Sequence, residues 1–240
     1  MSWERARSDD QKAVRIQAIQ DAAGDLFLNR EYHSISLGLI AQRAGFTRPN
    51  LYRYYKTKEE IFLSILEKDL DRWVGELESD SKFQPEPASK PASKERSESH
   101  GHRQEIAEFA AWWVRHFAAQ PRLPRLLPLM AFSLDDNAGE ELLKAFKLGL
   151  AEISRRISGI VLNRLPWYPP DQLADFPLLQ LALVTGLMPM ATRGEVHNRV
   201  LEDPRLRGFA IDFEHHYQKL LSQFLGGVEN METNQKESTQ

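Results

Sequence analysis

Apolar side chains in this chain recur at steps of three and four residues, and that period decides what it can fold into. Ile16, Ile19, Ala23, Leu26 and Phe27 make one stripe, and Phe62, Leu66, Leu70, Trp73 and Leu77 a second. Ile106, Phe109, Ala110, Trp113, Val114 and Phe117 form a third; Leu143, Phe146, Leu150, Ile153, Ile157 and Ile160 form a fourth. Such spacings share one face of an α-helix, so each stripe predicts a helix with one buried side. No segment alternates as a strand does, and Pro121, Pro124, Pro166, Pro169, Pro170 and Pro204 mark the breaks. The expected fold class is all-α.

Composition divides the chain. The stretch 79–104, SDSKFQPEPASKPASKERSESHGHRQ, has one large apolar residue, Phe83, and predicts a flexible linker or loop. Residues 227–240 predict a disordered tail for the same reason. These breaks set off an N-terminal domain at 10–72 and a C-terminal helical bundle at 105–226. Within the bundle, Leu178–Met190 is apolar nearly all round, and Phe209, Phe213, His216, Tyr217, Leu220 and Phe224 form a stripe widened by Leu221 and Leu225. That is more apolar face than one small core covers, so a subunit interface is expected through Leu179, Leu183, Leu187, Phe213, His216, Tyr217, Leu220 and Phe224.

Among 240 residues there is no Cys, which excludes disulfides, thiolate metal sites and a cysteine nucleophile. No run of 18 apolar residues occurs and the first ten residues carry charges, so neither a membrane partner nor a signal peptide is expected and the chain reads as cytoplasmic. The net charge of −3 hides an asymmetry: residues 1–58 hold ten Lys/Arg against six Asp/Glu. A basic end on an acidic chain points toward nucleic acid, although a solvated face gives the same count.

The segment Ser34–Ile61, SISLGLIAQRAGFTRPNLYRYYKTKEEI, sharpens that hint. Ser36 can cap a helix whose buried side is Leu37, Ile40, Ala41 and Ala44. Gly45 supplies the positive φ that ends it, Phe46 plugs the turn, and Thr47 stands where it can cap a second short helix from Arg48. Helix, glycine turn and capped helix make a helix-turn-helix. With these residues the chain resembles the tetracycline-repressor family of bacterial transcription regulators. The residues carrying the resemblance are Ile40-Ala41, Ala44-Gly45-Phe46-Thr47, Leu51-Tyr52-Arg53-Tyr54-Tyr55 and Lys58-Glu59-Glu60-Ile61, within roughly residues 12–72. The chain departs from the pattern at Gly38-Leu39, where the family often has a polar or charged pair.

The resemblance implies a three-helix DNA-binding domain followed by a bundle for ligand binding and dimerisation. It places Arg48 and Asn50 in the first turn of the helix that enters the major groove. Arg pairs bidentately with guanine and Asn with adenine, and Pro49 offers an apolar surface to a thymine methyl. Tyr52 and Tyr54 present hydroxyls to phosphates or groove edges, while Thr47 and Lys58 are phosphate binders. Leu51, Phe46 and Tyr55 read as core. Arg5, Arg7, Lys12 and Arg15 can form an arm or helix start along the DNA backbone, while Arg5 and Arg7 read equally as part of a disordered N-terminus.

No catalytic residues, cofactor or metal site are expected. His100 and His102 fall in the linker, and His215 and His216 point about 100° apart on a helix. Trp112-Trp113 admits two readings: packing residues, or the wall of a ligand cavity with Phe109, Met130, Phe132 and Phe146, anchored by Arg115 or His116. The leading functional expectation is a homodimeric repressor on a near-palindromic double-stranded operator, released by a small apolar or amphipathic effector. The alternative is an all-α sensor or enzyme using the C-terminal bundle, with DNA binding secondary.

Overall fold

The computed structural model describes the backbone of residues 2–80 and 96–237, with side chains for 10–80 and 101–227 apart from Asp136. Its helices are α1 (Ser2–Asn29), α2 (Leu37–Arg43), α3 (Arg48–Tyr52), α4 (Lys58–Ser79), α5 (Arg96–Ala118), α6 (Leu123–Leu129), α7 (Glu140–Arg164), α8 (Phe176–Ala191), α9 (Glu195–Leu201) and α10 (Phe213–Glu237). Among the described residues there is no strand, so the fold is all-α. Pro128 sits inside α6, and the next turn, Met130–Leu134, is π-helical. A missing N–H is a known cause of such a defect.

The chain forms two compact units, and their boundaries fall inside α4 and α7: Met1–Asp71 with Pro121–Ala151, and Arg72–Gln120 with Glu152–Gln240. Residues 121–151 were expected in the C-terminal bundle; instead they cluster with the N-terminal residues. Polar side chains explain why. Arg122 grips the buried Asp69 with Nε and Nη2 at 2.7 and 2.6 Å. Arg125 donates to the Phe27 carbonyl at 3.0 Å while lying over the Phe27 ring. Thr57 Oγ1 donates to Asn137 O at 3.2 Å. Beneath them, Ile19, Ala23, Phe27, Ile40, Leu51, Phe62 and Leu66 form this unit's core.

The second unit is built on aromatic rings. Trp73 meets Trp113 and Phe117 edge-on, and Phe117 meets Tyr217 the same way, with centroids 5.0 to 5.8 Å apart. Phe109 and Phe176 complete the cluster around Trp113. These contacts tie α5 to α10 and α8. Trp113 Nε1 donates to Tyr217 Oη at 3.1 Å, and Tyr217 donates in turn to Gln180 Oε1, so these three side chains form a buried hydrogen-bonded chain. Pro170–Ala191 is the one segment among the described residues long and apolar enough to cross a bilayer, by length and composition. Its inner side, Phe176, Gln180, Val184 and Leu187, is buried within the unit.

Two composition boundaries move. Helix α5 begins at Arg96, so the end of the expected linker 79–104 is helical, while 81–95 lie outside the described residues. Helix α10 continues to Glu237, well into the expected tail 227–240, of which 238–240 lie outside the described residues. Both stretches are polar but free of proline and contain Glu, Gln, Arg or Lys, residues whose propensity supports a helix.

Candidate nucleic-acid interface

Local chemistry builds the helix-turn-helix. Ser36 Oγ accepts from Leu39 N at 3.3 Å and caps α2. At the other end Gly45 takes φ 75°, Gly45 N donates to Gln42 O at 3.3 Å, and Phe46 N donates to Ala41 O at 2.8 Å. This pair of bonds closes the last turn as a Schellman motif, which needs a residue without a Cβ penalty at the left-handed position. Thr47 is the N-cap of α3 in extended conformation, but its side chain makes no capping hydrogen bond. Its role is in the backbone, where Thr47 O accepts from Leu51 N at 3.1 Å.

Helix α3 docks through Leu51 and the following Tyr55, both buried, and Gln20 donates to Tyr55 Oη at 2.8 Å. Phe46 is half-buried in the turn. Thr47, Arg48, Pro49, Asn50 and Tyr52 are exposed on the other side, Tyr52 at 54%. Tyr54 is half-buried and accepts from Arg15 Nη1 at 3.3 Å. Burial of Leu51 and Tyr55 beneath an exposed Arg-Pro-Asn turn presents a short helix face outward.

Lys58 opens α4 but points inward along the unit. Its Nζ donates to the carbonyls of Tyr32 and Ile35 at 3.0 Å each and lies 4.1 Å from the centroid of the Tyr32 ring. Tyr32 in turn donates to Glu59 Oε1 at 2.9 Å, and burial, followed by that carboxylate, pushes its hydroxyl well above the usual tyrosine range. Thr57 caps α4 by accepting from Glu60 N at 3.2 Å, while Glu60 Oε2 accepts from Lys56 N at 2.6 Å. The sequence Thr57-Lys58-Glu59-Glu60 fits the capping-box pattern.

A cleft of about 240 Å³ adjoins this surface, lined by Gln11, Lys12, Arg15, Arg53 and Tyr54. Three cations around a space of this size suit a backbone phosphate. Lys12 and Arg15 were weighed from sequence; Arg53 was not. It follows the last residue of α3, and only the fold brings it beside Arg15.

The other candidate residues are placed as follows. Phe109, Trp112 and Trp113 are buried in the second unit, packed ring against ring, with Arg115 exposed and His116 half-buried. Trp112 Nε1 donates to Asp80 Oδ2 at 2.9 Å, His116 Nε2 lies 3.1 Å from the same oxygen, and the Arg164 guanidinium covers the Trp112 ring at 3.7 Å. Met130 and Phe146 are buried in the first unit, where Phe132 is exposed. Of the expected interface residues, Tyr217 and Leu187 are buried within their own unit and so have no surface for a partner. The Tyr217 ring is spent on the aromatic core, against Phe117 and Phe213. Leu179, Leu183, Phe213, His216 and Phe224 are half-buried, and Leu220 is exposed. His102, expected in the linker, is in α5 and stacks on Trp167.

Comparison with known proteins follows the same outline. Residues 19–65 match the family described as bacterial regulatory proteins, tetR family, and residues 67–232 match the tetracyclin repressor-like C-terminal domain. The HTH-type transcriptional activator FasR of Mycolicibacterium smegmatis is 38% identical over 53 residues, which is 22% of this chain and 24% of that protein. The HTH-type transcriptional regulator RutR of Escherichia coli K12 is 34% identical over 67 residues, 28% of this chain and 32% of its own length. The chain thus matches about a quarter to a third of these curated relatives. A TetR transcriptional regulator from Rhodococcus sp. RHA1 has the same fold, with a TM-score of 0.51 at 14% identity over 90% of this chain and 97% of that one.

Proposed function

The chain belongs to the tetR family of bacterial DNA-binding transcription regulators, and on that premise we propose that it acts as a homodimeric repressor whose α3 helices read a near-palindromic operator. The observation that carries the reading is the exposed Arg48-Pro49-Asn50 turn above a buried Leu51. Arg48 and Asn50 supply base contacts; Thr47, Tyr52, Tyr54 and Lys58 join the Lys12–Arg15–Arg53 cleft in holding phosphates. For Lys58, two donors are engaged with carbonyls in this structure, and the third is the one available to DNA.

Dimerisation is supported by apolar surface on the last helices. Leu178 on α8, Val196 and Val200 on α9, Phe209 and Leu220 are all exposed. Exposed apolar side chains clustered on neighbouring helices favour a partner face. With the half-buried Leu179, Leu183, Phe213, His216 and Phe224 they make the two-fold contact of this reading. The repressor role follows the family description alone.

The effector of this reading is a small apolar or amphipathic molecule. A groove of about 540 Å³ in the second unit is a candidate place for it, lined by Leu77 and Ile160 together with Glu78, Asp80, Arg156 and Arg164 among others. Its charges are largely paired within the unit: Arg156 holds Glu78 through two hydrogen bonds, and Arg164 holds the carbonyls of Leu77 and Asp80. Phe109, Trp112 and Trp113 pack on each other, which supports their reading as core.

The test is a salt titration. Fluorescence anisotropy with random-sequence duplex should show affinity falling steeply with salt, two subunits per duplex, and release by at least one member of a panel of small apolar and amphipathic compounds. Salt-independent or undetectable DNA binding would overturn the regulator reading.

A further inference from the structure

The departure from the family pattern at Gly38 has a structural counterpart. Gly38 is the second residue of α2 and keeps a negative φ, Gly45 being the one positive-φ glycine among the described residues. Nothing in its backbone calls for glycine, and glycine weakens a helix relative to alanine. What occupies the missing side chain's place is Arg48. A Cβ at Gly38 would stand 2.5 Å from Arg48 Nε and 2.7 Å from Cζ, with Nη2 closer still. Real Cβ atoms essentially never approach so closely. The guanidinium of the recognition helix therefore lies across the first turn of the helix before it.

The same device occurs elsewhere in this unit. A Cβ at Gly24 would stand 2.7 Å from Arg122 Nη1, and Arg122 is the residue that grips Asp69. There the function is plain: a bare stretch of helix lets a guanidinium lie flat and hold one direction.

We propose that Gly38 is a positioning residue for Arg48, giving the guanidinium a seat on α2 from which it meets DNA with its direction already restricted. An exposed arginine otherwise samples many rotamers and loses them on binding, which weakens the contact it makes. This rests on the reading of Arg48 as a DNA contact.

The signature is a split between stability and binding. Gly38→Ala places a methyl where the far end of a flexible side chain lies, so Arg48 swings away and the fold stays intact, with helix propensity slightly improved. A double-mutant cycle isolates the coupling. The full-length wild-type protein first selects a duplex from a random 30-base-pair pool; wild type, Gly38→Ala, Arg48→Ala and the double variant are then titrated on that duplex at one salt concentration. Arg48→Ala should lower affinity about tenfold or more, and Gly38→Ala about threefold or more with an unchanged or higher Tm. The double variant should match Arg48→Ala within about twofold, because an absent side chain needs no seat. If Gly38→Ala binds like wild type, or its loss is as large without Arg48 as with it, the proposal is overturned; the second result would mean that the α2 backbone itself approaches DNA. If wild type selects no duplex, or Arg48→Ala binds normally, the underlying DNA-contact reading fails, a result distinct from the other two.

Discussion

The first unit relies on long charged side chains to tie helix ends and backbone carbonyls together; the second does so at Arg164, on the carbonyls of Leu77 and Asp80, but centres on an aromatic core with hydrogen bonds inside it. In the first, Lys58 holds two carbonyls before α2, Arg125 holds the carbonyl of Phe27, and Arg122 closes on Asp69. The face of α3 is left outward. In the second, Trp113, Tyr217 and Gln180 bond one another where water does not reach. In the unit that must meet a polyanion, Arg122, Arg125 and two of the three Lys58 donors are thus committed to protein, while the second unit depends more on its aromatic core. The two should fail in different ways when single groups are removed.

The largest effect is expected in the first unit. Asp69 is 2% exposed, and Arg122→Met would leave its carboxylate buried without its bidentate partner. A loss of about 3–5 kcal/mol is expected, measured as a shift in urea midpoint. A loss under about 1 kcal/mol would mean that the bracing is ornamental. In the second unit Tyr217→Phe should cost about 1–3 kcal/mol, since Trp113 Nε1 and Gln180 Oε1 would both lose their partner. Leu220→Glu should leave unfolding of the subunit nearly unchanged, because the side chain is exposed, yet convert dimer to monomer in light scattering. A stable wild-type monomer would remove the dimer and the palindromic operator with it.

The smallest effect sharpens the contrast within the second unit. Tyr168 is buried like Tyr217, but its hydroxyl has no hydrogen-bond partner, and burial pushes its pKa up to about 12. Tyr168→Phe should therefore be neutral or slightly stabilising at pH 7. At high pH the sign is fixed by linkage. In the unfolded chain this phenol ionises near about pH 10, so the stability it carries is intact below that pH and is lost as pH rises toward its folded value. Stability should fall by up to about 1.4 kcal/mol per pH unit across this window. Removing the hydroxyl should flatten that fall; an unchanged alkaline profile in Tyr168→Phe would contradict the assignment.

This contrast also sets what the sequence could reveal. The helix-turn-helix was legible because its determinants are local: Ser36 three residues before the amide it caps, Gly45 at the turn, Leu51 and Tyr55 four apart. The attachment of residues 121–151 to the first unit was not, because Arg122 and Asp69 are distant in sequence and no periodicity links them. Arg53 in the basic cleft was missed for the same reason, and Gly38 stood out only as a departure from the family pattern, with nothing in the sequence to place Arg48 against it. Tyr217 misled through its place in an apolar stripe, since a stripe does not say whether the covering surface belongs to the same chain. The polar end of α10 and the start of α5 show that low apolar content does not by itself argue against a helix.

The central claim, that the exposed turn of α3 reads DNA sequence, is tested most directly by a base-substitution scan. Each position of a wild-type-selected duplex is replaced in turn, and wild type and Asn50→Ala are titrated on the whole set at fixed salt. The account predicts that Asn50→Ala loses about 1–3 kcal/mol on the selected duplex and loses preference at one adenine in each half-site while keeping the other positions and the salt slope. A uniform loss at every position, or no loss at all, would contradict it.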